Sequence, residues 1–236
     1  MKIDNQSIHM ERGFELHDYN RVRPFSSFLP GIAGEHGKPM WVFYTNRGQC
    51  ISSFGIRDRN GAMLEFQPAD KAYALTSLYG FRTFFKLLDD GKFTLYEPFQ
   101  TNSEELITQR LLINPEEIQI EETNLALGLR TRIAYFTLPN EPISALVRRV
   151  TVENIASKQI NVEVLDGLPQ VVPYGLDENL LKQMSRTMQA FAEILHVENN
   201  LPFYKLKVVP SDKPEVQWIN AGFFTFTLLK GKLAAV

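Results

Sequence analysis

Histidine, cysteine and paired carboxylates carry most metal, nucleophilic and proton-transfer chemistry, so their spacing is the first thing to read. His9, His17, His36 and His196 lie far apart, with no HxH, HxxxH or HExxH spacing. That pattern predicts no zinc site and no other bound metal. Cys50 is the single cysteine. One thiol forms neither an internal disulfide nor a cysteine zinc site, and in the strand-like run CISSF it reads as a small buried side chain. No GxSxG nucleophile elbow and no GxGxxG or GxxxxGKS/T phosphate loop occurs, so no cofactor is expected. Asp58, Glu65, Asp70, Glu97, Glu163 and Asp166 are acidic candidates for glycoside chemistry, which uses two carboxylates across one bond. Spacing alone selects no pair among them.

A sugar-facing surface fits the residue types better. Sugars present apolar C–H faces and many hydroxyls, which suit aromatic platforms and planar polar groups. The run MWVFYTNRGQCISSFGIRDRNGAMLEF, Met40 to Phe66, puts Trp41, Phe43 and Tyr44 beside Asn46, Arg47, Arg57 and Asp58. Trp41, Tyr44, Arg47, Arg57 and Asp58 are therefore the sugar-contact candidates. Trp41 and Phe43 share a strand face and suit a core better than a sugar surface. Tyr44, Arg47 and Arg57 are expected to reach solvent.

The elements that would position these residues are mostly strands. Strand patterns cover 13–18, 40–46, 49–55, 62–66, 81–88, 92–99, 106–113, 117–123, 126–138, 145–154, 159–167, 203–209 and 216–229. Asn46-Arg47-Gly48 and Arg59-Asn60-Gly61 supply turn residues that tolerate positive φ, making 40–66 a three-stranded meander. Asp89-Asp90-Gly91 predicts a further hairpin. In EIQIEET (117–123), Ile118 and Ile120 fall on one face and Glu117, Gln119 and Glu121 on the other, as in a sheet with one wet side. PGIAGEHGKP (30–39) reads as a flexible loop, and residues 1–11 as a loose polar lead.

One stretch breaks the pattern. In DENLLKQMSRTMQAFAEIL (177–195), Leu180, Leu181, Met184, Met188, Phe191 and Leu195 recur at helical spacing. Asp177 suits the N-cap, and Glu178 suits the positive end. This predicts one long helix. The fold class that follows is mainly β: a large antiparallel β-sandwich with one long helix near 177–195.

The chain has 236 residues, 44% hydrophobic and 22% charged, with 17 Phe and a net charge of −2. A sizeable core is expected, and the balance argues against nucleic acid as a partner. No run approaches the ~18 apolar residues of a membrane helix, and the polar N-terminus lacks a signal-peptide core. A soluble cytoplasmic setting is the default. Residues 1–236 read as a single sandwich domain. The stop at GKLAAV, just past an apolar strand, reads as a cut through a longer enzyme.

The segment EIQIEETNLALGLRTRIAYFTLPNEPISALVRRVTVENIASKQINVEVLDGLPQVV (117–172) resembles the N-terminal β-sandwich of cellobiose phosphorylase-like enzymes. These form glycoside hydrolase family 94 (the glycosyltransferase 36 type), related to family 65. The matched features are the loop LPNEP (138–142), the paired-Arg strand LVRRVTVEN (146–154) with Asn154 at its end, and KQINVEVLDGLPQVV (158–172). The opening hairpins resemble the family more loosely. Two departures stand out: Gln170 replaces a frequent Glu, and the helix at 177–195 is longer than that position leads one to expect. The resemblance implies a galactose mutarotase-like supersandwich that is itself non-catalytic. It would pack on a helical (α/α)6 barrel of the same polypeptide, support homo-oligomer assembly and lend loops to an oligosaccharide site. Two alternatives stay open. One is a stand-alone aldose epimerase using His17 or His36 with Glu163 or Asp166. The other is a plain carbohydrate-binding module.

Overall fold

The computed structural model describes residues 13–89, 92–101, 106–210 and 214–234. In chain order the strands and helices are β1 (Phe14–His17), β2 (Ser26–Leu29), β3 (Trp41–Thr45), β4 (Ile51–Gly55), β5 (Ala62–Leu64), α1 (Ala69–Tyr79), β6 (Arg82–Asp89), β7 (Lys92–Tyr96), β8 (Ile107–Ile113), β9 (Ile118–Asn124), β10 (Leu129–Thr137), β11 (Leu146–Asn154), β12 (Asn161–Gly167), α2 (Glu178–Met184), β13 (Ala192–Leu195), β14 (Phe203–Leu206), β15 (Phe223–Phe224), β16 (Leu228–Leu229) and β17 (Lys232–Leu233). The fold is mainly β and antiparallel, as a sandwich requires. Contacts gather it into two compact units, residues 1–54 with 67–169, and residues 55–66 with 170–236. Among the described residues no helix is long and apolar enough to cross a membrane.

The first unit holds a five-stranded sheet, β1-β8-β9-β10-β11, a three-stranded sheet, β12-β6-β7, and the run β2-β3-β4. Alternation decides the faces. Along β9 and β10, Ile118, Ile120, Leu129, Thr131, Ile133 and Tyr135 are buried, while Gln119, Glu121, Arg130 and Arg132 turn outward. The outer face is a ladder of opposite charges. Arg110 and Arg132 both reach Glu121, at 2.6 and 2.5 Å, and Arg130 meets Glu153 at 3.2 Å. The two sheets meet where Phe85 and Leu87 of β6 pack with Leu129 of β10. Such interleaving of inner faces is the driving term of a sandwich, about 25 cal/mol for each Å² of apolar surface removed from water.

Helix α1 was absent from the strand-and-turn pattern. Pro68 precedes it, Asp70 stands in its first turn, and the Gly80 N–H closes it by bonding to the Thr76 carbonyl at 3.0 Å. It buries little beyond Ala72 and Thr76. Thr45 Oγ1 of β3 donates to Thr76 Oγ1 at 3.1 Å.

In the second unit the long helix expected over 177–195 is not formed, and its departure has a physical reason. The start is as read: Asp177 Oδ1 accepts from the Leu180 N–H at 2.8 Å. Only Glu178–Met184 are α-helical; Ser185–Phe191 tighten into 3₁₀ geometry, and Ala192–Leu195 become β13. Both helix types bring residues i and i+3 to one side, so the apolar spacing fits either. Leu180, Leu181, Met184, Met188 and Phe191 still pack one cluster around Leu206 and Ile219. The last four residues gain a backbone ladder instead, pairing with β14 from Ala192↔Leu206 to Leu195↔Phe203.

Other corrections are smaller. The expected strand 216–229 is reduced to β15, β16 and a lone Val208↔Trp218 bridge. The turn at 59–61 is a 3₁₀ turn in which Asp58 Oδ1 accepts from the Asn60 N–H at 2.8 Å. β6 and β7 form the expected hairpin, with Asp89 opposite Lys92. Its turn residues Asp90 and Gly91, the lead 1–11 and His9 lie outside the described residues.

Candidate functional site

The sugar-contact candidates divide between the units. Trp41, Tyr44 and Arg47 belong to the first; Arg57 and Asp58 belong to the second. Tyr44 does not reach solvent. It is buried, with its ring edge-on to Phe25 at 6.4 Å. Burial raises its pKa, against a hydrogen bond from Ser27. The cause is register: Tyr44 sits opposite Ser27 in a ladder running from Ser26↔Thr45 to Leu29↔Val42. Trp41, at the strand's start, is half-buried.

Arg47 is used inside the fold. Its guanidinium donates to the carbonyls of Tyr19, Asn46 and Val22 at 3.3, 2.7 and 2.9 Å, and burial lowers its pKa. Asn46 does the same for the neighbouring loop. Its Nδ2 donates to the carbonyls of Tyr19 and Arg23, and its Oδ1 accepts from the Phe25 N–H at 2.8 Å. Asn20 Oδ1 accepts from the Gly48 N–H at 2.7 Å, while Tyr19 donates to the Gly48 carbonyl at 2.5 Å. Gly48 holds φ +52°, and a Cβ there would meet Ser77 Cα at 2.9 Å. These polar residues are tying a loop to a hairpin. Arg57 and Asp58 are exposed, with Arg57 at φ 59°.

Two buried polar clusters escape a reading based on motifs. In one, Arg148 of β11 is nearly enclosed. It pairs with Asp166, and it donates to Gln49 Oε1 at 2.6 Å, Thr83 Oγ1 at 3.0 Å and the Tyr135 hydroxyl at 3.2 Å. Its guanidinium lies 5.0 Å from the Phe81 ring centre. Burial works to lower its pKa, but Tyr135 and Asp166 outweigh that and the net direction is up. Burial pushes the Tyr135 phenol up as well. In the other cluster, the Glu122 carboxylate accepts from the Phe99 N–H at 2.6 Å, Gln109 Nε2 at 2.7 Å and the Tyr96 hydroxyl. Phe99 is held there at φ 66°, costly for a bulky residue.

The acidic candidates are committed in the same way. Glu97 takes Arg82 in a two-pronged pair at 2.7 and 2.8 Å, and Glu163 takes Lys86 at 2.9 Å. Asp166 accepts from Thr83 at 2.6 Å besides its Arg148 pair. Asp70 is an exposed first-turn residue of α1. Glu65 lines a small cleft of the second unit with Arg59, Phe66, Asp177 and Glu178. There Glu178 pairs with Arg59 at 2.6 Å and with Lys182, and the nearby Lys182 leads the causes that lower its pKa. His17 lies 3.7 Å from Glu15, and His36 is exposed. Cys50 is fully buried, and burial raises its pKa strongly. Among the described residues no group of three or more His, Cys, Asp or Glu side chains could hold a metal ion.

Open apolar surface lies on the β12-β6-β7 sheet. In β6 the inner face carries Thr83, Phe85 and Leu87, all buried. The outer face carries Phe84, Lys86 and Leu88. Register sets Leu165 opposite Phe84, Glu163 and Leu95 opposite Lys86, and Phe93 opposite Leu88. Leu165, Leu95 and Phe93 are 71, 70 and 61% exposed. Such a patch is the kind that marks an interaction site. The second unit also exposes Val216, Trp218, Phe226, Leu228 and Leu229. A scan of protein-family models finds no match to this chain. No curated protein matches it either.

Proposed function

We propose that this chain is a non-catalytic β-sandwich module of a cellobiose phosphorylase-like carbohydrate enzyme, serving packing and assembly. One observation carries the reading. Arg47, Arg148, Glu97, Glu122, Glu163 and Asp166 are engaged in internal pairs and hydrogen bonds, while large apolar side chains of β7 and β12 lie open. General acid–base chemistry needs titratable groups aimed at a substrate, whereas a docking surface needs apolar area to bury. The resemblance over 117–172 suggests the partner, a helical (α/α)6 barrel of the same polypeptide; the lone cysteine and polar N-terminus favour a cytoplasmic setting.

The test is an assay of the isolated chain with cellobiose, laminaribiose and inorganic phosphate. No release of glucose 1-phosphate above buffer is expected. Turnover would end the reading. Titration with cello- and laminari-oligosaccharides separates the binding-module alternative, because saturable binding to the isolated chain would move the function to sugar recognition. Polarimetry on fresh α-glucose tests the epimerase alternative. Against that alternative, Glu163 is paired with Lys86, and Asp166 is held by Thr83 and Arg148.

A further inference from the structure

We infer that β12 is a docking edge for a neutral, extended peptide segment with aliphatic side chains at alternate positions, which joins the sheet as one more strand beside β12. The inference stands on an open side of the sandwich and holds whatever enzyme the module serves.

The two sheets of the first unit end together here. β11 is an edge of the five-stranded sheet and β12 an edge of the three-stranded one, and Arg148 of β11 pairs with Asp166 of β12. Beyond that pair the core is not closed. Val162 and Val164 stand opposite Leu87 and Phe85, and Val152 opposite Thr131, so all three valines point inward. Leu87, Phe85 and Thr131 are buried, yet Val162, Val164 and Val152 are 37, 50 and 36% exposed.

The backbone of β12 says what fits. Alternate residues of an antiparallel edge strand turn their N–H and C=O groups away from the neighbour. Among the described residues no strand pairs with that side of β12. Free edges are ordinarily blunted by Lys, Pro, a bulge or an inward charge. NVEVLDG contains no Lys or Pro, pairs with β6 residue for residue, and carries valines at its inward positions before Asp166. Its charges are already matched, Glu163 by Lys86 and Asp166 by Arg148. A charged partner finds nothing to neutralise, whereas a neutral strand finds a ladder to complete and valines to bury. A helix satisfies its own backbone groups and would leave this edge unmet, so the occupant is extended. Its inward side chains would lie beside Val162 and Val164 as cross-strand neighbours.

The probe is an acetylated, fluorescein-labelled peptide of the length of β12, alternating valine and threonine between terminal lysines. Fluorescence anisotropy with the whole chain should show saturable binding below ~100 μM. Hydrogen exchange should slow at the amides of Asn161–Gly167. N-methylating one alternate set of peptide amides should abolish binding, and methylating the other set should leave it, because a strand offers one edge to the ladder. Val164→Glu should weaken binding about ten-fold or more. Leu165→Glu, one residue on and on the outer face, should leave it unchanged.

Absence of saturable binding up to that concentration overturns the inference. So does binding that survives in both methylated peptides, or binding that Leu165→Glu removes and Val164→Glu spares. A wild-type chain that dimerises along this edge, and that Val164→Glu returns to monomer, overturns it too by giving the edge to a second copy.

Discussion

Arg148 of β11 and Asp166 of β12 form an ion pair although their strands lie in different sheets. The pair ties the edge of the five-stranded sheet to the edge of the three-stranded one. Gln49, Thr83 and Tyr135 take three further donors of the guanidinium. A buried ion pair owes its persistence to such additional bonds, since desolvation alone works against it.

Removing one partner is therefore expected to be worse than weakening the other. Arg148→Met should lower unfolding stability by about 3 kcal/mol, because it strands Asp166 near three unfilled polar groups. Asp166→Asn keeps an oxygen for Thr83 and should cost about half as much. Urea unfolding curves of the two variants check the order.

The Asn46 amide is one of several ties on the loop 19–25, beside Arg47 and Asn20. Asn46→Ala removes three hydrogen bonds to backbone groups of Tyr19, Arg23 and Phe25. Unmet buried backbone groups cost about 1–3 kcal/mol each. A loss of about 2–3 kcal/mol is expected for the variant. Faster proteolytic cutting near Arg21 and Arg23 should accompany it, read by mass spectrometry.

Acid should weaken the outer ladder at Glu121. Burial tends to raise the pKa of that carboxyl, but Arg132 and Arg110 outweigh it and the net direction is down. The unfolded chain then takes up the proton first as pH falls. The contribution is present above the ordinary carboxylate pKa and is lost as pH drops through the lowered value. Glu121→Gln should flatten the acid limb of a stability-versus-pH curve and change little at pH 7 beyond the lost pairs. An acid limb identical to wild type would refute the assignment.

Cys50 is expected to be inert in the folded chain. It is fully buried, and its pKa is raised by burial. A thiol reacts as thiolate. Ellman's reagent at pH 8 should therefore leave it unmodified until urea unfolds the protein. Prompt labelling of the native chain would contradict the packing around β4.

The sheets were legible because side-chain alternation reports a face directly. The runs 117–123, 126–138 and 145–154 became three neighbouring strands, β9, β10 and β11. The buried polar residues were harder to find, although a signal exists. In EIQIEETN, Glu122 stands in phase with Ile118 and Ile120; in LVRRVTVEN, Arg148 stands in phase with Leu146 and Val150. A charge on the apolar phase of a strand announces a buried partner. Which partner depends on distant pairing: Arg148 meets Gln49 across 99 positions of sequence. Tyr44 shows the converse. Its place in β3 was clear, but its exposure was decided by what β2 and Phe25 lay beside it. The 177–195 stretch misled because spacing does not separate an α-turn from a 3₁₀ turn.

Among the described residues strand β1 pairs with β8 alone, with Phe14 opposite Ile113 and His17 opposite Arg110. A chain made from its N-terminus onward must hold Phe14–His17 without that ladder until Arg110–Ile113 have been synthesised, about a hundred residues later. At ~5–20 residues per second that is a wait of several seconds or more. Closure over so long a separation also slows folding. During that wait the segment is an open strand edge, which makes translation speed and early chaperone contact natural determinants of yield for this protein.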